Sequence, residues 1–307
     1  PPGLQGSSSG SPSFLGFQFD MVVRTSVSNK FLVAFNHLVV GGSAKEETWF
    51  ATCTDAGSWS SGTNLGVDAT RNVRLVGIGL DTAIDTAHVI VQVNIPSFPA
   101  GEVARYGQVE ITSSNSVGSY EEILDGEVAF PTSETFEAGS VVVTANQLEL
   151  YFGLGVTTLS GTTYTSTLYA VKGDLSQFPV TWSWTLIDVI SNATYIFQHM
   201  QPAILQVNAG MWAIWGRADN FTTWGAAGFN VLYLSKRPNA AWNAFQTVHD
   251  AGASPHPLIL RAVLVPGAVG IIFGDSVLNG ANLPLNYWQE SVVTSNGVDA
   301  GQGNVVI

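Results

Sequence analysis

Apolar and polar residues alternate with a period of two along much of this chain. The alternating segments are rich in β-branched and aromatic residues, which predicts short β-strands with one buried and one exposed face. Clear examples are Met21–Thr25, His88–Val93, Ser140–Thr144, Leu148–Phe152 and Thr167–Val171. Gly, Asn, Ser and Pro interrupt the pattern about every eight to twelve residues, as turns do. Because no helical stripe extends beyond about two turns, the sequence predicts an all-β fold.

A pair of apolar strands joined by a tight turn recurs about every 60 residues, which indicates an internal repeat. The second strand of each pair ends in an aromatic residue or valine, at Phe35, Val93, Phe152, Trp215 and Phe273. A third apolar strand and a segment containing Trp or Tyr follow each pair. We therefore predict a β-propeller-like domain of about five four-stranded repeats of roughly 60 residues. The alternative is a chance similarity among closely spaced strands.

The two ends of the chain carry further signals. The segment Gly66-Val67-Asp68-Ala69 recurs as Gly297-Val298-Asp299-Ala300. Residues 304–307 therefore look like the start of another innermost strand, so that six blades with one shared or missing are the alternative to five. Residues 1–13 are rich in Pro, Gly and Ser and predict a flexible N-terminal arm or linker. We assign residues 14–307 to a single β-propeller-like domain.

Composition and charge exclude several classes of partner. The 307 residues include 11 Lys and Arg against 23 Asp and Glu, for a net charge of −12, and Cys53 is the single cysteine. Nucleic acid is not expected as a partner because its binding requires clustered cations. The sequence contains no apolar stretch of about 18 residues, so we expect no membrane insertion. His249, Asp250 and His256 fall short of a recognisable metal motif, and we expect neither a metal nor a cofactor.

The segment Cys53-Thr54-Asp55-Ala56-Gly57-Ser58-Trp59 resembles the Asp-box repeat of sialidase-like β-propellers. The family motif reads Ser-x-Asp-x-Gly-x-Thr-Trp, and this copy is one residue shorter and lacks the leading Ser. Poorer copies precede Trp182 and Trp242. The resemblance implies a β-propeller fold in which Asp55, Gly57 and Trp59 form a structural turn without a chemical role.

Sialidase activity is the enzymatic function that this resemblance implies. It requires three arginines that hold a carboxylate, together with a nucleophile pair of Tyr and Glu and an acidic proton donor. Arg24 and Arg261 occupy similar places on predicted innermost strands, but the fourth repeat offers Gln206 where a third arginine would stand. We therefore expect that the chain is not an enzyme.

One aromatic segment has the composition of a sugar-binding site. Trp212, Trp215 and Trp224 surround Arg217 and Asp219, and sugars bind by stacking on rings and by hydrogen bonds to planar polar groups. Trp212 and Trp215 point to opposite faces of a strand, so at least one of them belongs to the core. The predicted ligand-binding residues are Trp215, Arg217, Asp219, Trp224, Arg24 and Arg261.

These features predict a non-catalytic structural or adhesive module of a larger assembly. The most plausible assembly is a virus or phage particle, in which the protein forms a homo-oligomeric tail or surface appendage involved in host attachment. Its location would then be the virion or the extracellular space, and a cell-surface glycan is a possible ligand. The alternative is a secreted lectin or a sialidase-like glycoside hydrolase.

The resemblance of residues 53–59 to a structural turn generates a stability prediction. Asp55→Ala should lower the free energy of unfolding by about 1 to 2 kcal/mol, because a hydrogen bond from the side chain to the backbone is lost. Chemical denaturation measures this change. Loss of ligand binding at an unchanged melting temperature would contradict the structural role.

Overall fold

A computed structural model describes part of the chain. The described residues are 21–24, 30–39, 45–54, 59–69, 73–81, 84, 86–93, 105–112, 117–118, 120–123, 135–192, 199–207, 210–218, 230–237, 242, 245–250, 257–265, 268–275, 285–292 and 299–306. Within these ranges the secondary structure is entirely strands and turns, so the predicted all-β class is confirmed. None of the described residues forms a helix that is long and apolar enough to cross a membrane.

The described strands form antiparallel four-stranded sheets. The first sheet contains β1 (Met21–Arg24), β2 (Lys30–Val39), β3 (Lys45–Thr54) and β4 (Thr63–Asn64). The second contains β5 (Val73–Asp81), β6 (Thr86–Val93), β7 (Arg105–Thr112) and β8 (Glu121–Glu122). The third contains β9 (Thr135–Val143), β10 (Glu149–Ser160), β11 (Thr163–Asp174) and β12 (Thr181–Asn192).

Two further sheets follow in the second half of the chain. The fourth contains β13 (His199–Val207), β14 (Gly210–Ala218), β15 (Asn230–Arg237) and β16 (Gln246–Asp250). The fifth contains β17 (Pro257–Val265), β18 (Ala268–Asp275), β19 (Leu285–Val292) and β20 (Asp299–Val306). In every sheet each strand pairs with the next one along the chain, because short connections bring consecutive antiparallel strands side by side.

The strand pairs that the repeat predicts are the first two strands of each sheet. In the pair β13–β14, for example, Val207 lies opposite Gly210 across the turn. The turn between β9 and β10 contains Asn146, as the sequence predicts, and there the side-chain oxygen of Asn146 accepts a hydrogen bond from the amide of Leu148 at 3.2 Å. Gln147 adopts a positive φ of 59° in this turn, a left-handed conformation that is uncommon for residues other than glycine.

The expectation for residues 304–307 is wrong. Residues 304–306 do not begin an innermost strand, because residues 299–306 form β20 as the outer strand of the fifth sheet, and residue 307 lies outside the described residues. Trp288 of β19 lies opposite Asn304 in this pair. The backbone groups along this side of β19 need partners, and pairing with β20 supplies them.

The chain divides into two compact units. The first comprises Pro1–Ser133, Val141–Leu150 and Gly173–Trp182. Its core lies between the first and second sheets, and β6 is buried on both faces. The buried cluster consists of Leu32, Ala34, Phe50, Leu65, Val73, Leu75, Ile78, Ala87, Val89, Val91, Val93 and Ile111.

The second unit comprises Glu134–Ser140, Tyr151–Lys172 and Ser183–Ile307. Its largest fully buried side chains are Trp212, Trp215, Phe152 and Leu154. In β11 buried and half-buried residues alternate, so that Ser166, Leu168 and Ala170 face inward. This is the period-two pattern that the sequence shows over Thr167–Val171.

Within each unit, consecutive sheets approach closely where a strand carries glycine. A Cβ atom added at Gly77 of β5 would lie 2.7 Å from Val141 Cγ2 of β9, and one added at Gly153 of β10 would lie 2.6 Å from Pro202 Cβ of β13. Both distances are shorter than van der Waals contact. Only glycine therefore permits this spacing of the sheets.

The contact at Gly153 generates the second prediction. Gly153→Ala should lower the free energy of unfolding by about 1 to 3 kcal/mol, because the added methyl group forces β10 and β13 apart. Equilibrium denaturation in urea measures the change. Ser160→Ala, at an exposed position of the same strand, is the matched control and should have little effect. Equal stabilities of the two variants would show that the sheets separate at no cost.

Candidate functional site

The second unit buries a connected group of polar side chains, which we call the His199 cluster: Ser166, Asp188, His199 and Arg217. They come from four consecutive strands, β11 to β14. His199 begins β13 and lies directly opposite Arg217 near the end of β14. Ser166, Asp188 and His199 are buried, and Arg217 is partly exposed. Buried polar groups require partners, and these residues supply them to one another.

The imidazole of His199 connects two oxygen atoms. Its Nδ1 lies 2.7 Å from Ser166 Oγ, and its Nε2 lies 3.0 Å from Asp188 Oδ2. A neutral ring with its proton on Nε2 satisfies both bonds, because Nε2–H donates to the carboxylate and the Ser166 hydroxyl donates to Nδ1. The ring thus links the serine to the aspartate.

Asp188 is the centre of charge in the cluster. Arg217 Nε lies 3.4 Å from Asp188 Oδ2, and the amide of Val189 donates to Asp188 Oδ1 at 2.9 Å. Burial alone raises the pKa of Asp188, but the hydrogen bond from His199, the charge of Arg217 and the hydrogen bond from the Val189 amide outweigh it and lower the pKa. The carboxylate is therefore ionised at neutral pH and anchors the guanidinium group.

Arg217 extends the cluster to the surface. Its guanidinium carbon lies 5.4 Å from the centroid of the Phe245 ring, within the range of a cation–π contact. Phe245 is 41% exposed and also meets the fully buried Trp215 edge to face at 6.1 Å. The cluster therefore presents to solvent a guanidinium group above an aromatic ring, held by buried partners on both sides.

Serine, histidine and aspartate linked in this order by hydrogen bonds also form the catalytic triad of acyl-transfer enzymes. A nucleophile must reach its substrate, yet Ser166 is only 1% exposed and His199 only 2%. This part of the cluster therefore holds Asp188 in place, and Asp188 in turn orients Arg217. The chemistry available at the surface is hydrogen bonding by Arg217 and stacking on Phe245.

The first unit contains a second polar group, which we call the His88 cluster: Asp81, His88, Glu110 and Glu121. His88 of β6 is buried and lies opposite Glu110 of β7, with 3.6 Å between His88 Nδ1 and Glu110 Oε1. Trp182 Nε1 donates to Glu121 Oε1 at 3.4 Å. Within the described ranges, no group of three or more His, Cys, Asp or Glu could hold a metal ion.

Burial controls protonation in the His88 cluster. It lowers the pKa of His88 from 6.5 to about 4, although the negative charge of Asp81 acts in the opposite direction. Burial also raises the pKa of Glu110, and the charges of Glu121 and Asp81 raise it further. His88 is therefore neutral at pH 7, and its contact with Glu110 is not an ion pair.

Among the predicted ligand-binding residues, Arg217 belongs to the His199 cluster. Trp215 lies fully buried behind it, and the exposed ring beside Arg217 is that of Phe245. Arg24 and Arg261 lie on β1 and β17, the first strands of their sheets, as expected, but the structure does not describe their side chains. Asp219, Trp224, Asp55 and Gly57 fall outside the described residues, and Trp59 is half-buried. The roles of all these residues stay predictions.

Sequence reasoning missed Ser166, Asp188, His199 and Phe245. One signal was present: Asp188 is the single charged residue in Thr181–Asn192, and a lone charge in an apolar strand indicates a buried partner. No comparable signal marks Ser166 or Phe245.

Comparison with known proteins gives similarity in structure alone. No family model matches the chain, and no curated protein matches it. Trypanosoma rangeli sialidase in complex with sialic acid matches with a TM-score of 0.55 and 12% identity over 92% of this chain and 47% of the sialidase chain. A mutant of that sialidase displaying trans-sialidase activity matches with a TM-score of 0.54 and 11% identity over 93% and 48% of the two chains. Penicillium chrysogenum α-L-arabinanase complexed with arabinobiose gives a TM-score of 0.47 and 12% identity over 79% and 69%.

The two sialidase matches support the β-propeller part of the predicted resemblance, since these neighbours are β-propeller glycosidases. At such low identity the likeness concerns the fold. The chain spans about half the length of the sialidases that it matches.

The lowered pKa of His88 generates the third prediction. The unfolded chain binds this proton near pH 6.5, whereas the folded chain binds it only near pH 4. The stability contributed by neutral His88 is therefore complete above pH 6.5 and is lost as the pH falls towards 4, by about 3 kcal/mol. Glu110 acts in the opposite sense, because its raised pKa favours the folded state on protonation.

His88→Gln should remove this part of the pH dependence, and unfolding in urea between pH 7 and pH 4 measures it. The matched control is His37→Gln at an exposed histidine of β2, which should keep the wild-type profile. A His88→Gln profile parallel to that of the wild type would contradict the assignment.

Proposed function

We propose that the protein is a carbohydrate-binding module with a β-propeller fold of five four-stranded blades, and that Arg217 and Phe245 contact the sugar. The observation that carries the proposal is the guanidinium group of Arg217 held 5.4 Å above the exposed ring of Phe245. The ring supplies an apolar face for stacking, and the guanidinium supplies planar hydrogen-bond donors for hydroxyl groups.

The side chains of this surface are held in place before a ligand binds, and this supports the proposal. Asp188 fixes Arg217 by an ion pair, and His199 fixes Asp188 by a hydrogen bond. Trp215 supports Phe245 from the buried side. A surface that is held in one arrangement before binding loses less conformational entropy when a ligand arrives.

Binding is favoured over cleavage at this surface. Glycoside hydrolysis uses two carboxyl groups on either side of the scissile bond. The described residues of the His199 cluster include one carboxyl group, that of Asp188, and its charge is paired with that of Arg217. The likeness to sialidase supports carbohydrate as the ligand class and makes a glycoside hydrolase the alternative function.

Attachment to host glycans as part of a larger assembly is the setting that the composition favours. A single site of stacking and neutral hydrogen bonds binds weakly, whereas several copies raise avidity by a factor on the order of 10² to 10⁴. A homo-oligomeric virion or extracellular protein would use the site in this way. This setting rests on sequence composition.

The fourth prediction tests the site with an artificially multimerised form of the protein on a glycan array. The wild type should bind at least one glycan class, and Phe245→Ala should weaken that binding about ten-fold through loss of the stacking face. Arg217→Lys should weaken it to a similar extent, because the planar fork is lost while the charge beside Asp188 is kept. The control Leu148→Ala, at an exposed apolar residue of a turn, should bind as the wild type does.

Melting temperatures of all variants separate loss of binding from loss of folding. Binding that survives both substitutions would place the ligand elsewhere. A fluorogenic glycoside assay run in parallel distinguishes the alternative: turnover that disappears in Arg24→Ala or Arg261→Ala would identify a sialidase-like enzyme.

A further inference from the structure

The outer strand of the third sheet differs from the outer strands of the other sheets. β12 is 12 residues long, whereas β4 and β8 have two residues each, β16 has five and β20 has eight. Within the described part of the chain, β12 is hydrogen-bonded to β11 on one side only. Its other side is an edge with a row of backbone N–H and C=O groups.

This edge lacks the usual protection against pairing. Natural proteins protect edge strands with lysine, proline, bulges or short length, and residues 181–192 contain neither lysine, arginine nor proline. Asp188 is the one charged residue, and it is buried against His199 and Arg217. Leu186 and Val189 are 56% and 46% exposed, so apolar side chains accompany the open edge.

The strand is also held in place from its inner side. Trp184 packs edge to face on Tyr169 of β11 at 5.6 Å, and Ser191 Oγ lies 3.1 Å from Thr165 Oγ1 of β11. These contacts lie towards opposite ends of residues 183–192. A long edge fixed at both ends is a ready template for another strand, because pairing requires little further ordering of β12.

We propose that the outer edge of β12, residues 183–192, pairs antiparallel with the same edge of a second copy of this chain. An antiparallel pair of identical strands is self-complementary about a two-fold axis, so backbone donors on the edge of one copy meet backbone acceptors of the other. Charge within the strand does not oppose a second copy at this place, since the one charged residue, Asp188, is buried. Two chains of net charge −12 repel one another, and this edge offers them a contact without exposed charge.

The first experiment measures the oligomeric state of the full chain by sedimentation. The wild type should be dimeric, and the double variant Leu186→Lys, Val189→Lys should weaken the dimer at least about ten-fold, because lysine on an edge strand opposes pairing with another strand and both copies would carry it. The control Ile84→Lys, Leu148→Lys adds the same charge at exposed apolar residues of turns and should remain dimeric. A monomeric wild type, or equal dimerisation of both variants, would overturn the proposal.

A second experiment keeps the proposal testable if the lysine variants fold poorly. In a Cys53→Ser background, a single cysteine is placed in turn at residues 183–187 and 189–191, and the disulfide-linked dimer is quantified after mild oxidation. A cysteine on the two-fold axis lies within disulfide range of the equivalent cysteine in the other copy. Two residues away from the axis, the equivalent Cα atoms already lie about 13 Å apart along the strands. The yield should therefore peak at one position and fall on both sides. Equal yields along the strand, or none, would overturn the proposal.

Discussion

The close approach of neighbouring sheets is the constraint on which the described structure depends. Gly77 and Gly79 of β5 lie against Val141 and Val143 of β9, and a Cβ atom at either glycine would come within 3 Å of a valine side chain. The same relation holds between Gly153 and Pro202. In these contacts, Val141, Val143 or Pro202 of one sheet occupies the space that a glycine of the neighbouring sheet leaves free. Packing of this kind transmits a displacement of one sheet to the next, because interiors packed to this density yield little.

The two clusters show two ways to bury a histidine. His88 lies among carboxyl groups, and burial nonetheless dominates, so the ring stays neutral down to a pH of about 4. In the His199 cluster a cation is present, since Arg217 balances the charge of Asp188. The first arrangement keeps charge out of the core, whereas the second carries a fixed charge pair from the core to the surface. Among the described residues, the ring beside the second cluster, that of Phe245, is exposed, whereas that of Trp182 beside the first is half-buried. For this reason we propose the second cluster as the ligand site.

The sequence predicted the strands better than the site. Alternation and turn residues identify strand pairs locally, and the turn at Asn146 is an example in which one residue type determines the geometry. The His199 cluster joins Ser166 to His199 across 33 positions and Asp188 to His199 across 11, so a local pattern can mark Asp188 but cannot show which residues it meets. The prediction for residues 304–307 failed for a related reason. Residues 66–69 and 297–300 are alike in sequence, but an innermost and an outer strand have the same local alternation and differ only in their partners.

β12 joins the proposed binding surface to the edge of the third sheet. Successive side chains of a strand point to opposite faces, so Asp188 is buried while its neighbour Val189 is exposed. The Val189 amide donates to Asp188 Oδ1, which ties the backbone of the edge to the carboxylate that holds Arg217. A strand that pairs with β12 would restrict the backbone at residues 188 and 189. The same restriction would act on Asp188, the residue that holds the guanidinium group of Arg217 above Phe245.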